Sequence, residues 1–276
     1  MSGVKDVAGS VVIVTGGGRG IGRSTCELFL QRGARVAVCD IDELSATRTA
    51  DELGERATAY ALDVCDESAF RDVVARVEAD MGPVDVLVNN AGIMPLGAFL
   101  DQPLARDRKQ IDINLFGVIH GMRAVLPGML KRERGHVVNI ASVAGRIGVP
   151  GSAVYSASKF GVIGVTEAVR LEHYETEVGF SYVMPALVDT ELISGTGRPT
   201  FPPPVTPEAV AKGVLRAVET GKVDVFVPRM ARLSVIVPAL FPRSLYERVG
   251  KFFNLDGMFQ HVDDSAREAY RERIAT

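Results

Sequence analysis

Seven short runs rich in β-branched residues punctuate this 276-residue chain and constrain its fold more than any other feature. They are "SVVIVT" (10–15), "ARVAVCD" (34–40), "ATAYALD" (57–63), "VDVLVNN" (84–90), "GHVVNIAS" (135–142), "GFSYVMP" (179–185) and "VDVFVP" (223–228). Most are continuously apolar rather than alternating, as strands must be when both faces are covered. Amphipathic, helix-length stretches separate them near 20–32, 42–53, 66–80, 103–130, 152–176 and 207–221. Asp66 and Thr206 suit N-caps, Pro207 suits a first helical position, and Gly33, Gly54, Gly82 and Gly221 fall where helices should stop. Strands joined by helices imply right-handed crossovers, hence an α/β fold with one doubly wound, seven-stranded parallel sheet and helices on both faces.

The first crossover, "VVIVTGGGRGIG", is a strand, a glycine loop and a helix start. Glycines 16, 20 and 22 permit a tight turn and close backbone approach to a pyrophosphate at the helix N-terminus. Asp40 ends the second strand 18 positions beyond Gly22, where a carboxylate can accept hydrogen bonds from an adenosine ribose. The pattern predicts a single Rossmann-type dinucleotide-binding domain. A carboxylate there repels the 2′-phosphate of NADP, so NAD is the expected cofactor. Arg19, a guanidinium in the loop that could reach such a phosphate, argues the other way.

Composition narrows the function classes. A net charge of −3 gives no general electrostatic reason to expect nucleic acid. Cys26, Cys39 and Cys65 lack metal or redox spacing and read as reduced thiols of a cytoplasmic protein. His120, His136, His173 and His261 show no ligand spacing, so no metal is expected. The first residues do not read as a signal peptide, and no run approaches 18 apolar residues, so no transmembrane helix is expected.

Thr15-Gly16…Gly20-x-Gly22, "LDV" at 62–64, "NNAG" at 89–92, Asn114, Ser142, Tyr155 and Lys159 occur in the order of a known pattern. Over about residues 8–228 the chain resembles the short-chain dehydrogenase/reductase family, in the branch with a TGxxxGxG loop and a YxxxK pair. The resemblance implies that Gly16, Arg19, Gly20, Ile21, Gly22 and Asp40 meet the cofactor. It implies that Asp63 and Val64 border the adenine and that Asn89, Ala91 and Gly92 form the cofactor wall, with Asn90 stabilising it. It implies a homodimer or homotetramer.

Asn114, Ser142, Tyr155 and Lys159 are the catalytic group by the same resemblance. Tyr155 and Lys159 lie one helical turn apart, on one face. The lysine ammonium and the oxidised nicotinamide should both favour tyrosinate, so that Tyr155 takes or gives the hydroxyl proton as hydride moves. Ser142 should hydrogen-bond the substrate oxygen. Lys159 should also bind the nicotinamide ribose, and Asn114 should hold a water linking Lys159 to solvent. After the sixth strand, Pro185, Val188 and Thr190 match the family and are expected at the nicotinamide. Ala186 replaces its glycine and would be strained if the backbone there needs positive φ.

These readings predict an NAD(H)-dependent oxidoreductase acting on a small, lipophilic secondary alcohol or ketone. An NADPH-dependent 3-ketoacyl reductase is the enzymatic alternative; an idle NAD-binding regulatory protein is the alternative from another class. The expected organisation is a 1–228 dinucleotide-binding and catalytic domain, with a substrate loop at about 186–206, and a 229–276 extension. In the extension Arg229, Arg232, Arg243, Arg248 and Lys251 surround an apolar run, Leu233–Phe241, that Pro238 should interrupt. It reads as packing on the substrate cleft or a neighbouring subunit, with peripheral membrane contact or a plain surface tail as the other readings.

Overall fold

The computed structural model describes residue 4 and residues 6–196, 203–240 and 265–275. Part of the expected substrate loop, 197–202, and the stretch 241–264, with Arg243, Arg248 and Lys251, lie outside the described residues. The strands are β1 Val11–Thr15, β2 Arg35–Asp40, β3 Ala57–Ala61, β4 Val84–Asn89, β5 Gly135–Ile140, β6 Val178–Pro185 and β7 Asp224–Val227. They form one sheet in the order β3-β2-β1-β4-β5-β6-β7, with every pairing parallel. The chain reverses its direction of travel across the sheet between β1 and β4, so a crevice opens at their carboxyl ends.

The helices are α1 Gly20–Gln31, α2 Glu43–Leu53, α3 Glu67–Met81, α4 Leu104–Ile111, α5 Gly117–Lys131, α6 Ala153–Glu172, α7 Pro207–Thr220, α8 Leu233–Leu240 and α9 Glu268–Ala275. Their two layers explain the continuous apolar strands, because successive residues enter different cores. Val11 and Ile13 pack with Phe70, Val77, Met122 and Met129 of α3 and α5. Val12 and Val14 pack with Cys26, Phe29, Val210 and Val214 of α1 and α7. Each such fully buried side chain contributes about 1.5–3 kcal/mol.

The expected caps form. Asp66 accepts from the Ser68 and Ala69 N–H groups, and Thr206 from the Ala209 N–H. Gly33, Gly54, Gly82 and Gly221 take positive φ at their helix ends. Three elements differ from expectation. The single helix over 103–130 is α4 and α5 joined by a π-turn, Asp112–Phe116. Helix α6 stops at Glu172 rather than 176, where His173 leaves the helical backbone. Helix α8, Leu233–Leu240, includes Pro238, so the expected interruption at that proline is not seen.

Leu104–Lys131 is, by length and composition, long and apolar enough to cross a membrane. Its Val118, Met122, Val125 and Met129 belong instead to the core beneath the sheet, which makes it a core helix. Cys26 and Cys39 are fully buried free thiols, and burial pushes the Cys39 thiol up to about 12.

Candidate active site

The crevice begins at the glycine loop. Gly16 and Gly20 hold φ of 63° and 51°, and a Cβ on Gly22 would lie 2.0 Å from the Gly16 carbonyl oxygen. Gly22 therefore lets α1 start directly beneath the loop and does not line the cavity. Arg19, at the N-cap of α1, makes no side-chain cap, which leaves first-turn amides for a ligand. Asn90 fixes the loop: its Nδ2 donates to Thr15 O (2.9 Å) and Gly16 O (3.1 Å). The Asn90 and Ala91 N–H groups both donate to Thr15 Oγ1.

Asp40, at the end of β2, accepts from the Gly18 N–H (3.0 Å) and the Asp42 N–H (3.1 Å). Asp42 caps α2, accepting from the Ser45 N–H and hydroxyl, and it is ion-paired with Arg19. Ser45, assisted by Arg19, holds the Asp42 carboxyl below its ordinary range. Asp42 was not singled out from the sequence, although an Asp before a periodic stretch is a helix-start signal.

One continuous cavity of about 1410 Å³ runs from this carboxylate pair to the end of β5 and beyond β6. Gly16, Arg19, Gly20, Ile21, Asp40, Asp63, Val64, Ala91 and Gly92 line it, as do Ser142, Tyr155, Lys159, Pro185, Val188 and Thr190. Asn89 does not. Its buried carboxamide donates to Asn139 Oδ1 (2.9 Å) and, at 3.4 Å, to Val118 O, so its side chain braces β4 against β5 and α5.

Asn114 also stands behind the wall. The π-turn aims its carboxamide at the strand following β4: Oδ1 accepts from the Ile93 N–H (2.8 Å), and Nδ2 donates to Ile93 O (2.9 Å) and Ser158 Oγ (3.1 Å). Both Nδ2 hydrogens are spent, so the side chain positions Gly92–Ile93, and the oxygens of Asn114 are the groups left for the expected water.

Tyr155 and Lys159 share one face of α6, and the Lys159 Nζ lies 5.7 Å from the Tyr155 ring centroid. Lys159 is buried and donates to Ile140 O at 2.7 Å. Burial pushes this ammonium down to about 8. Burial also pushes the Tyr155 phenol up to about 12; the Ser142 hydroxyl partly offsets that, and the Tyr270 phenol adds to it. Burial therefore dominates the phenol in the protein alone, whereas the expected lowering belongs to the site with the oxidised nicotinamide bound beside Lys159. Ser142 Oγ accepts from the Ala144 N–H (3.1 Å), which fixes its rotamer at the end of β5.

Ala186 shows no positive φ, and its N–H donates to Val227 O at 2.8 Å. The alanine is therefore unstrained. The far end of the cavity is lined by Tyr270, Arg273 and Ile274 of α9, which sequence reasoning did not identify. Nothing local in "REAYRERIA" distinguishes a cavity-facing tyrosine from a helix-surface one.

Comparisons with known proteins agree with this arrangement. The family described as short chain dehydrogenase matches residues 10–198. Oxidoreductase UcpA of Salmonella typhimurium is 35% identical over 217 residues, 77% of this chain and 81% of that protein. Human epidermal retinol dehydrogenase 2 is 31% identical over 86% of this chain and 80% of its own. A Burkholderia phymatum short chain dehydrogenase/reductase, solved in complex with NAD, superposes with a TM-score of 0.78 at 25% identity, covering 88% of this chain and 95% of that one. With the sheet order, the glycine loop and the Ser142–Tyr155–Lys159 group on one cavity, these matches make the chain a member of the short-chain dehydrogenase/reductase family of oxidoreductases.

Proposed function

We propose that the chain interconverts a lipophilic secondary alcohol and its ketone with NAD(H). The observation that carries this reading is the single cavity with Asp40 and the glycine loop at one end and Ser142, Tyr155 and Lys159 farther along it. The residues fit a dinucleotide: α1 presents first-turn amides without a side-chain cap, and the Asp40 carboxylate sits where a ribose diol would donate. Two carboxylates, Asp40 and Asp42, favour NAD over NADP, and the ion pair with Asp42 occupies the loop guanidinium that would otherwise favour a 2′-phosphate.

When bound, the nicotinamide supplies or accepts the hydride. In reduction, Ser142 and Tyr155 donate to the ketone oxygen, and the Tyr155 proton passes to it as the C–H bond forms. In oxidation the phenolate takes the hydroxyl proton. With a proton affinity raised to about 12, Tyr155 is held as the acid until a positive charge is added beside it. Lys159, at about 8, is largely charged at pH 7 and is a standing positive charge in the wall, to which a bound oxidised nicotinamide would add. Around the reacting position Met94, Val149, Leu187, Leu192 and Ile193 form an apolar cluster with Tyr155, which suits a lipophilic substrate. Two relatives are named for retinol and a 17-beta-hydroxysteroid, in keeping with that lining.

The test is a panel of secondary alcohols and ketones assayed with NAD(H) and NADP(H), on the wild type and Tyr155→Phe. Turnover should prefer NAD(H) and disappear in the variant, while NADH affinity stays within about threefold, since the phenol acts on the proton rather than on cofactor binding. Full activity in Tyr155→Phe would discard the mechanism.

A further inference from the structure

Helix α9 lines the substrate end of the cavity. Arg267, just before it, is 1% exposed, and Tyr270 is 5% exposed. The Arg267 guanidinium donates from Nη1 to Leu192 O (2.9 Å) and Ser194 O (3.0 Å), and from Nη2 to Met94 O (2.8 Å). Arg273 is ion-paired with Glu191. The helix is thus tied both to the segment after β4 and to the segment after β6.

Tyr270 is fixed at the centre of this clasp. Its Oη accepts from the Met94 N–H at 2.7 Å, and the Arg267 and Arg273 guanidinium carbons lie 4.7 and 5.5 Å from its ring centroid. The backbone amide already donates to this oxygen, so the hydroxyl hydrogen points elsewhere, and no described residue accepts it. Tyr270 lines the same cavity as Ser142 and Tyr155, next to the apolar cluster. A cavity-facing hydroxyl that has no described protein acceptor is free to donate to a ligand oxygen in place of water.

We propose that Tyr270 is a substrate-contacting, specificity-determining residue whose hydroxyl donates to a second oxygen of the substrate. Preferred substrates are then lipophilic ketones or alcohols that carry another acceptor, such as an ester, ether or carbonyl oxygen. This rests on the oxidoreductase reading of the same cavity. The Tyr270 ring supplies part of the apolar wall, and its hydroxyl supplies the discrimination. A site built to donate one hydrogen bond rejects a ligand that cannot accept it.

The probes are 2-decanone and straight-chain methyl ketones of equal length bearing a methyl ester two, four or six carbons from the ketone. With NADH, the wild type should favour at least one ester-bearing ketone over 2-decanone in kcat/KM. In Tyr270→Phe the largest of these ratios should fall about tenfold, chiefly through KM. A wild type that prefers none of the esters overturns the proposal without recourse to the variant, as does a ratio unchanged within twofold in Tyr270→Phe. Binding is read separately from the rise in Tm that each ketone gives in the presence of NADH. An ester-dependent rise lost in Tyr270→Phe supports the contact even if none of the ketones is turned over. Absence of turnover would then count against the oxidoreductase reading alone.

Discussion

Arg19, the guanidinium of the glycine loop, is ion-paired to Asp42 at the N-terminus of α2. It also donates to Ser45 Oγ at 2.8 Å, so the residue that would favour a 2′-phosphate is held by the second strand's crossover. Removing Asp42 should release it. Asp42→Ala is expected to raise the ratio of NADP to NAD in kcat/KM about tenfold, and the double variant with Asp40→Ala should raise it further. Steady-state kinetics with both cofactors decide this; a ratio unchanged in the double variant would remove the carboxylate pair from cofactor choice.

Gly22 carries a steric prediction. The Cβ of Gly22→Ala would sit 2.0 Å from the Gly16 carbonyl oxygen and 2.7 Å from Asn90 Nδ2, and Asn90 is the residue that locks the loop. Backbone must move, and overpacking of this kind costs about 1–3 kcal/mol. The variant should melt several degrees lower and bind NADH at least tenfold more weakly by nicotinamide fluorescence. Wild-type affinity would show that α1 can slide away from the loop without cost.

The sequence made the sheet legible because its strands are covered on both sides: a run such as Val11–Val14 needs no partner to be recognised. The glycine loop and Asp40 were equally visible, since their chemistry lies within one crossover. Asn89 was misread because "NNAG" does not tell which of two successive amides faces inward; β4 sends Asn89 into the core and leaves Asn90 at the loop. The π-turn at Asn114 has no signature in "QIDINLFGV", and its carboxamide is committed to Ile93, which sequence spacing cannot show. Tyr270 meets Met94 across 176 positions, a relationship that exists only once the fold has closed. The burial that raises the proton affinity of Tyr155 in the protein alone is not legible either, because it is a property of the packed site rather than of the YxxxK pair.

His136 should make stability depend on pH. Ser181 Oγ donates to Lys222 O, so it must accept from His136 Nε2 at 2.8 Å, which leaves the hydrogen on Nε2 and the lone pair on Nδ1. Nδ1 is buried without a partner, facing Gly179, and burial pushes the imidazole down to about 4 from an ordinary 6.5. The unfolded chain therefore binds the proton first. Stability from this group is present above pH 6.5 and is lost as pH falls through 4, amounting to about 2 kcal/mol between pH 7 and pH 5. Urea titrations at those two pH values should show this loss in the wild type and a flatter dependence in His136→Gln. Parallel slopes for the two proteins would assign the acid sensitivity elsewhere.

Helix α9 is only eight residues long, too short to persist without tertiary contacts, so Arg267 should determine whether it stays docked. Among the described residues Arg267 donates to the carbonyls of Met94, Leu192 and Ser194, and charged donors of this kind contribute about 1.5–3 kcal/mol apiece when buried, with incomplete additivity. Arg267→Met removes these hydrogen bonds while retaining an apolar stem against Tyr270. The sheet and its two cores do not depend on α9, so the global Tm should fall by no more than a few degrees. Local opening should instead become about a hundredfold more frequent, corresponding to about 3 kcal/mol. Hydrogen exchange followed by mass spectrometry would read this as faster exchange confined to 268–275 and to the backbone around Met94, whose N–H is held by Tyr270. Arg267→Lys should lie between the two, because an ammonium can reach one or two of the carbonyls but lacks the planar fork. Unchanged exchange in Arg267→Met would mean that the Arg273–Glu191 pair and the Tyr270–Met94 bond hold the helix without it.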